Sequence, residues 1–167
     1  RFTSDDTSVL TATRADGAEL PDWLTFDPTT GAFSGTPGNA DVEDFSVRIT
    51  ATDAAGHEDV ESFKLVVENV NDAPFAVGTL ADESFAEGEA IRIELPPLGE
   101  LFDDPDLIHG DALTLSASDA PWWLALEVAE GVFKAQEANV PDVAADTDYA
   151  VTLRATDSEG AYAEIPF

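Results

Sequence analysis

From Phe45 to Thr52 apolar and polar residues alternate strictly. Phe45, Val47, Ile49 and Ala51 fall on one side, and Ser46, Arg48, Thr50 and Thr52 on the other. A period of two is the signature of a half-buried strand, and Tyr149, Val151, Leu153 and Ala155 repeat it. Helical spacing is weak almost throughout. Further strands are predicted around 8–13, 23–27, 31–35, 60–68, 75–80, 89–95, 112–118, 122–128, 131–136 and 161–166. Turn signals separate them at Asp27-Pro28-Thr29-Thr30-Gly31, Thr36-Pro37-Gly38-Asn39, Ala54-Ala55-Gly56 and Ser158-Glu159-Gly160. Many short strands at this spacing predict an all-β chain built of sandwiches.

The pattern also repeats over a longer distance. Leu20-Pro21-Asp22-Trp23-Leu24-Thr25-Phe26-Asp27 returns as Ala120-Pro121-Trp122-Trp123-Leu124-Ala125-Leu126-Glu127, and Gly31-Ala32-Phe33 returns as Gly131-Val132-Phe133. The strand Phe45–Asp53 returns as Tyr149–Asp157, four residues further on, which places an insertion near Asn139 to Ala145. A period of about a hundred residues is one sandwich-sized domain. Two tandem domains are therefore expected, 1–72 and 73–167, with both ends falling inside a domain. Residues 75–95 supply two strands without a counterpart before Arg1, and Phe167 aligns with Phe63, so the second copy stops short of its last strand.

Charge sharpens the picture. The 167 residues carry 35 acidic and 7 basic side chains, a formal net of −28. Such a surface repels nucleic acid and anionic lipid and gathers cations. There is no cysteine, so neither a disulfide framework nor a thiolate metal site is available. No apolar run approaches the ~20 residues of a membrane span, so membrane insertion is not expected.

The carboxylates have an order. Asp53 and Asp157 lie one step past the last core residue of their strands and keep its inward parity, so each belongs at the mouth of a sandwich. Phe102-Asp103-Asp104-Pro105-Asp106 wraps two carboxylates around a proline, ahead of the strand near Ala112. Glu68-Asn69-Val70-Asn71-Asp72-Ala73-Pro74 reads as an extended connector, since proline cannot donate to a ladder and holds its predecessor extended. Linker, turn and strand end converge, and they can supply the six to eight oxygens that calcium takes at ~2.3–2.6 Å. Held together without a cation, these groups raise one another's pKa.

Leu20-Pro21-Asp22-Trp23-Leu24-Thr25-Phe26-Asp27-Pro28-Thr29-Thr30-Gly31, Phe33-Ser34-Gly35-Thr36-Pro37, Ala51-Thr52-Asp53 and Asn69-Val70-Asn71-Asp72-Ala73-Pro74 resemble tandem cadherin-like domains of the dystroglycan type. Such Ig-like domains are common in the large RTX-type repeat adhesins of Gram-negative bacteria. The resemblance covers nearly all of 1–74 and, more loosely, 75–167. It implies calcium at the domain junction, held by Asn69, Asn71, Asp72, Asp104, Asp106 and Asp157, with Asp41 in the acidic loop that closes the site. It further implies a glutamate, Glu87 or Glu89, serving a following junction, and an outer site with Asp6 and Asp53. Ser4 departs from the family there, standing where the pattern has its first turn aspartate.

The function this implies is a calcium-stiffened extender on a bacterial cell surface, serving adhesion and biofilm, with neighbouring domains of the same chain as partners. Two alternatives stay open. The second domain can grip a polysaccharide or peptide through Trp122 and its long 137–148 loop. Or the chain can be an accessory module of a secreted polysaccharide-degrading enzyme. Catalysis by the chain itself is not expected: His57 and His109 lie in polar loops with no nucleophile at a recognisable spacing.

Overall fold

The computed structural model describes residues 8–86, 88–129, 131–135 and 147–167. The chain divides into two compact units, Arg1–Val70 and Asn71–Phe167. Both are built almost wholly of antiparallel strands, the all-β architecture that the alternation predicts.

In the first unit, β1 (Val9–Arg14), β4 (Asp44–Thr52) and β5 (Glu58–Val66) form one sheet with β4 central. A second sheet is the hairpin of β2 (Leu24–Asp27) and β3 (Ala32–Gly35). Its turn is tied by Asp27, whose carboxylate accepts from the Thr29 N–H at 2.8 Å and the Thr30 hydroxyl at 2.7 Å. Leu24, Phe45 and Val47 are buried at the centre, with Leu20, Trp23, Phe33 and Leu65 packed around them. Gly35 has no room for a side chain, because a Cβ there would lie 1.9 Å from the Trp23 carbonyl oxygen.

The second unit repeats this plan and adds to it. Its strands are β6 (Phe75–Ala76), β7 (Arg92–Glu94), β8 (Phe102–Asp103), β9 (Thr114–Ser118), β10 (Leu124–Glu127), β11 (Val132–Ala135), β12 (Thr152–Thr156) and β13 (Tyr162–Pro166). They form sheets β10-β11-β7, β13-β12-β9 and β6-β8. Hairpin register is conserved between the units: Leu24 opposes Gly35 and Phe26 opposes Phe33, as Leu124 opposes Ala135 and Leu126 opposes Phe133. The core is larger here, with Ile91, Leu101, Phe102, Trp123, Leu124, Phe133, Val151, Leu153, Ala155 and Ile165 all buried.

Two expectations are corrected. The strand predicted over 75–80 ends at Ala76, because the Val77 and Gly78 N–H groups turn to the Leu101 carbonyl at 2.9 and 3.2 Å. A Gly78 Cβ would meet the Glu100 oxygen at 2.2 Å, so only glycine admits this approach. Between 96 and 110 the chain forms a one-turn helix, α1 (Leu98–Leu101), and a 3-10 turn at Pro105–His109 where periodicity predicts neither.

Gly35→Ala is expected to cost the first unit about 3 kcal/mol or more, since the obstacle is main chain and cannot swing away. Urea denaturation followed through Trp23 checks this, and an unshifted midpoint refutes the packing described.

Candidate metal centre

The site belongs to the second unit and rests on three backbone features. The first is the end of β12. Asp157 follows Thr156 and opens a tight turn, in which its Oδ1 accepts from the Glu159 and Ala161 N–H groups at 3.0 and 2.8 Å. Second is the 3-10 turn. Asp104 caps it, its Oδ1 accepting from the Asp106 N–H at 2.8 Å, and Pro105 costs nothing at a position whose N–H would be unpaired anyway. Third is Gly110, whose φ of 94° reverses the chain just after the turn and leads to Asp111.

Asp111 lies ahead of β9, and β9 pairs with β12 so that Thr114 opposes Thr156. The residues before one strand and after the other therefore share an end. One Asp111 oxygen accepts from the Ala112 and Ser158 N–H groups at 2.7 and 3.1 Å, bridging the two strand ends. The result is a cluster in which one carboxylate oxygen each from Asp104, Asp111 and Asp157 lie within 4.8 Å of one another.

Burial makes this cluster unusual. Asp104 is 3% exposed and Asp157 5%, yet neither faces a Lys or Arg across an ion pair among the described residues. Each acid spends one oxygen on backbone N–H groups, while Asp104 Oδ2 and Asp111 Oδ2 are buried with no hydrogen-bond partner. Burial first, and then the charges of Asp111, Asp106 and Asp157, push the Asp104 carboxyl above its ordinary range against the pull of the Asp106 N–H. Hydrogen bonds from Ser158 and Ala112 hold Asp111 below its own.

The connector joins the same place. The Asn71 amide donates to Asp157 Oδ2 at 2.9 Å, and the Asp72 N–H donates to Asp106 Oδ2 at 2.6 Å. Of the sequence-derived ligands, Asn71, Asp72, Asp104, Asp106 and Asp157 thus come together within this unit. Asn69 is exposed and belongs to the first unit, as does Asp41, whose carboxylate accepts from the Gly38 N–H at 2.8 Å in a local turn. Glu89 closes a similar local turn by accepting from the Ala86 N–H at 2.9 Å. Asp6, Glu87 and most of the 137–148 loop lie outside the described residues. Trp122 is 68% exposed and Trp123 is buried, as adjacent positions on opposite faces require.

Asp111 is the member that the sequence reading misses. Its signal was a Gly-Asp pair just ahead of an alternating run, visible only once that run is known to pair with the strand ending at Asp157. Asp53, the first unit's counterpart of Asp157, makes the same turn, with Oδ1 accepting from the Ala55 and His57 N–H groups, both at 2.8 Å. Its Oδ2, however, lies 2.9 Å from His57 Nδ1, and this contact leads the causes that lower its pKa.

The donor set fits a hard cation. Carboxylate oxygens without sulfur or imidazole suit calcium, magnesium or manganese over zinc or copper. The orphaned Asp104 Oδ2 beside two further acids is the arrangement that such an ion satisfies.

Comparison with known proteins agrees with the architecture. Residues 1–68 match the family model He_PIG, described as "Putative Ig domain". No curated protein matches the sequence. Among solved structures, the chain is similar to mouse cadherin-23 EC22-24, at 17% identity and a TM-score of 0.51, over 98% of this chain and 52% of that one. It is also similar to protocadherin gamma B2 extracellular cadherin domains 3-6, at 15% and 0.55, over 98% and 39%. Drosophila N-cadherin EC1-4 matches at 14% and 0.50, over 99% and 43%. The chain therefore spans about half or less of each of these structures. At such identities the likeness is one of fold, Ig-like and cadherin-like.

A raised Asp104 pKa disfavours the metal-free fold at neutral pH. Its contribution is fully favourable below the unfolded value of ~3.9 and is lost as pH rises through the higher folded value. Asp104→Asn keeps the acceptor for the Asp106 N–H and turns an amide N–H toward the remaining acids. In chelator it is expected to stabilise the second unit by about 1–3 kcal/mol at pH 7 and by nothing near pH 3. Denaturation at the two pH values checks the sign, and a destabilised variant at neutral pH contradicts it.

Proposed function

We propose that the chain is an extracellular, non-enzymatic spacer of an adhesion protein, stiffened by calcium at the head of its second unit. The observation that carries this reading is a buried, unpartnered oxygen, Asp104 Oδ2, on a carboxylate that clusters with those of Asp111 and Asp157. Calcium would be held by Asp104, Asp111 and Asp157, with Asp106, Asn71 and Asp72 beside them. The ion would supply charge neutralisation and nothing else. What the protein's own groups do is positional: N–H donors from Asp106, Ala112, Ser158, Glu159 and Ala161 fix one oxygen of each acid, leaving Asp104 Oδ2 and Asp111 Oδ2 for the ion, while Asp157 Oδ2 meets the Asn71 amide.

Stiffening follows from where the connector runs. Asn71 and Asp72 continue directly from Val70, the last residue of the first unit, and they hydrogen-bond to Asp157 and Asp106. An ion that fixes those acids also fixes the connector, and with it the freedom of whatever precedes it. Asn69 and Asp41 extend the same proposal to the first unit. Support for an extracellular setting comes from the protocadherin match, whose domains are extracellular, and from the acidic surface. Among the described residues no helix is long and apolar enough to cross a membrane. Attachment to a Gram-negative surface as part of an RTX-type adhesin rests on the sequence resemblance alone.

Calorimetry is expected to show calcium binding in the micromolar to millimolar range of sensor and extracellular sites, raising stability by about 3–4 kcal/mol at a hundred to a thousand times Kd. Asp111→Asn and Asp157→Asn each remove a ligand charge and should weaken binding about tenfold or more. Small-angle scattering should show a broader spread of particle dimensions in chelator than in calcium. Silence in calorimetry refutes the metal centre, while binding with unchanged scattering refutes the stiffening.

The exposed Trp122 favours a second reading, stacking of a sugar ring or an aromatic side chain. Fluorescence titration with acidic polysaccharides and short peptides is expected to quench Trp122 under that reading, and a Trp122→Ala chain with the same response excludes it.

A further inference from the structure

The turns that follow β4 and β12 match bond for bond. The Asp53 N–H donates to the His57 carbonyl at 3.0 Å, and the Asp157 N–H donates to the Ala161 carbonyl at 2.9 Å. Oδ1 of each acid accepts from the N–H groups two and four residues on. These bonds are both 2.8 Å at Asp53, and 3.0 and 2.8 Å at Asp157. Gly56 and Gly160 close the two turns at φ of 85° and 95°, where a side chain is strained. One main-chain frame therefore holds both carboxylates.

The side chain four positions after the acid is where the turns differ. His57 brings its Nδ1 to 2.9 Å from Asp53 Oδ2. Asp53, with its lowered pKa, is ionised at neutral pH and only accepts, so this ring nitrogen carries the proton and donates. Ala161 stands at the same place in the second turn and ends in a methyl group. It offers nothing to Asp157 Oδ2, which instead takes the Asn71 amide at 2.9 Å from 86 residues away. Burial makes such a donor necessary. Asp157 is 5% exposed, and a carboxylate oxygen removed from water is costly without a partner.

We propose that the residue four positions after the strand-end aspartate selects the partner of its second oxygen. A donor ring there keeps the acid within its own turn, and a methyl group releases it to the connector and to the cation. Ala161 is thus a specificity-determining position of the second unit, although its side chain supplies no ligand atom. An imidazole at 161, on the frame that His57 uses, would bring a nitrogen to Asp157 Oδ2 and displace Asn71 from it. The consequence for the cation rests on the metal centre proposed above, and the consequence for Asn71 does not.

Ala161→His in the intact chain tests the selection, with Ala161→Phe as the control for ring bulk. Exchange of the Asn71 side-chain amide protons, read by NMR in chelator at neutral pH, should quicken about tenfold with His. With Phe it should stay within about twofold of the parent chain. Calcium affinity, read by calorimetry, should fall about tenfold with His and hold with Phe. Unchanged Asn71 exchange in Ala161→His overturns the proposal, as does equal release of Asn71 by both rings. A parent chain that binds no calcium refutes the metal centre, and the Asn71 exchange then decides the selection by itself.

Discussion

Three carboxylates that repel one another in a place water barely reaches set the terms for the second unit. Asp104, Asp111 and Asp157 approach within 4.8 Å because backbone donors hold them there, and each donor is itself fixed by a strand end or a tight turn. The fold, in effect, holds charge against its own electrostatic preference. Repulsion of this kind is tolerable when a cation enters, since the same low-dielectric surroundings that magnify it also magnify the attraction to a divalent ion. At a formal −28 the chain as a whole leans the same way.

The two units show how one backbone plan serves two electrostatic ends. Asp53 and Asp157 close the same turn with the same pair of N–H donors. They part at the second oxygen, which meets the His57 ring in one unit and the Asn71 amide in the other. Cores diverge in a similar way. Asp59 and Glu61 stand where Ala163 and Ile165 are placed, so among the described residues the first unit buries less.

Much of the architecture was legible because strands announce themselves through parity. Alternation placed Phe45, Val47, Leu153 and Ala155 in the cores, and the adjacent pair Trp122 and Trp123 had to face opposite ways. Parity misled at 75–80, where Val77 and Leu80 suit a strand but Gly78 lies against the main chain at Glu100 and the ladder ends after Ala76. It was silent over Pro105–His109, since a single 3-10 turn is too short to carry a period.

Local pattern alone therefore determined most of the strands, the duplicated plan and the acidic character of the strand ends. Those properties depend on neighbours along the chain, and a period of two or a proline beside an aspartate is visible there. Which acids meet was decided by tertiary structure. Asp111 enters the cluster because β9 runs antiparallel beside β12, forty-odd residues away in sequence, and Gly110 turns the chain back toward that end. Which oxygens are left unpartnered was decided there too, because it depends on where each N–H points after the sheets have formed.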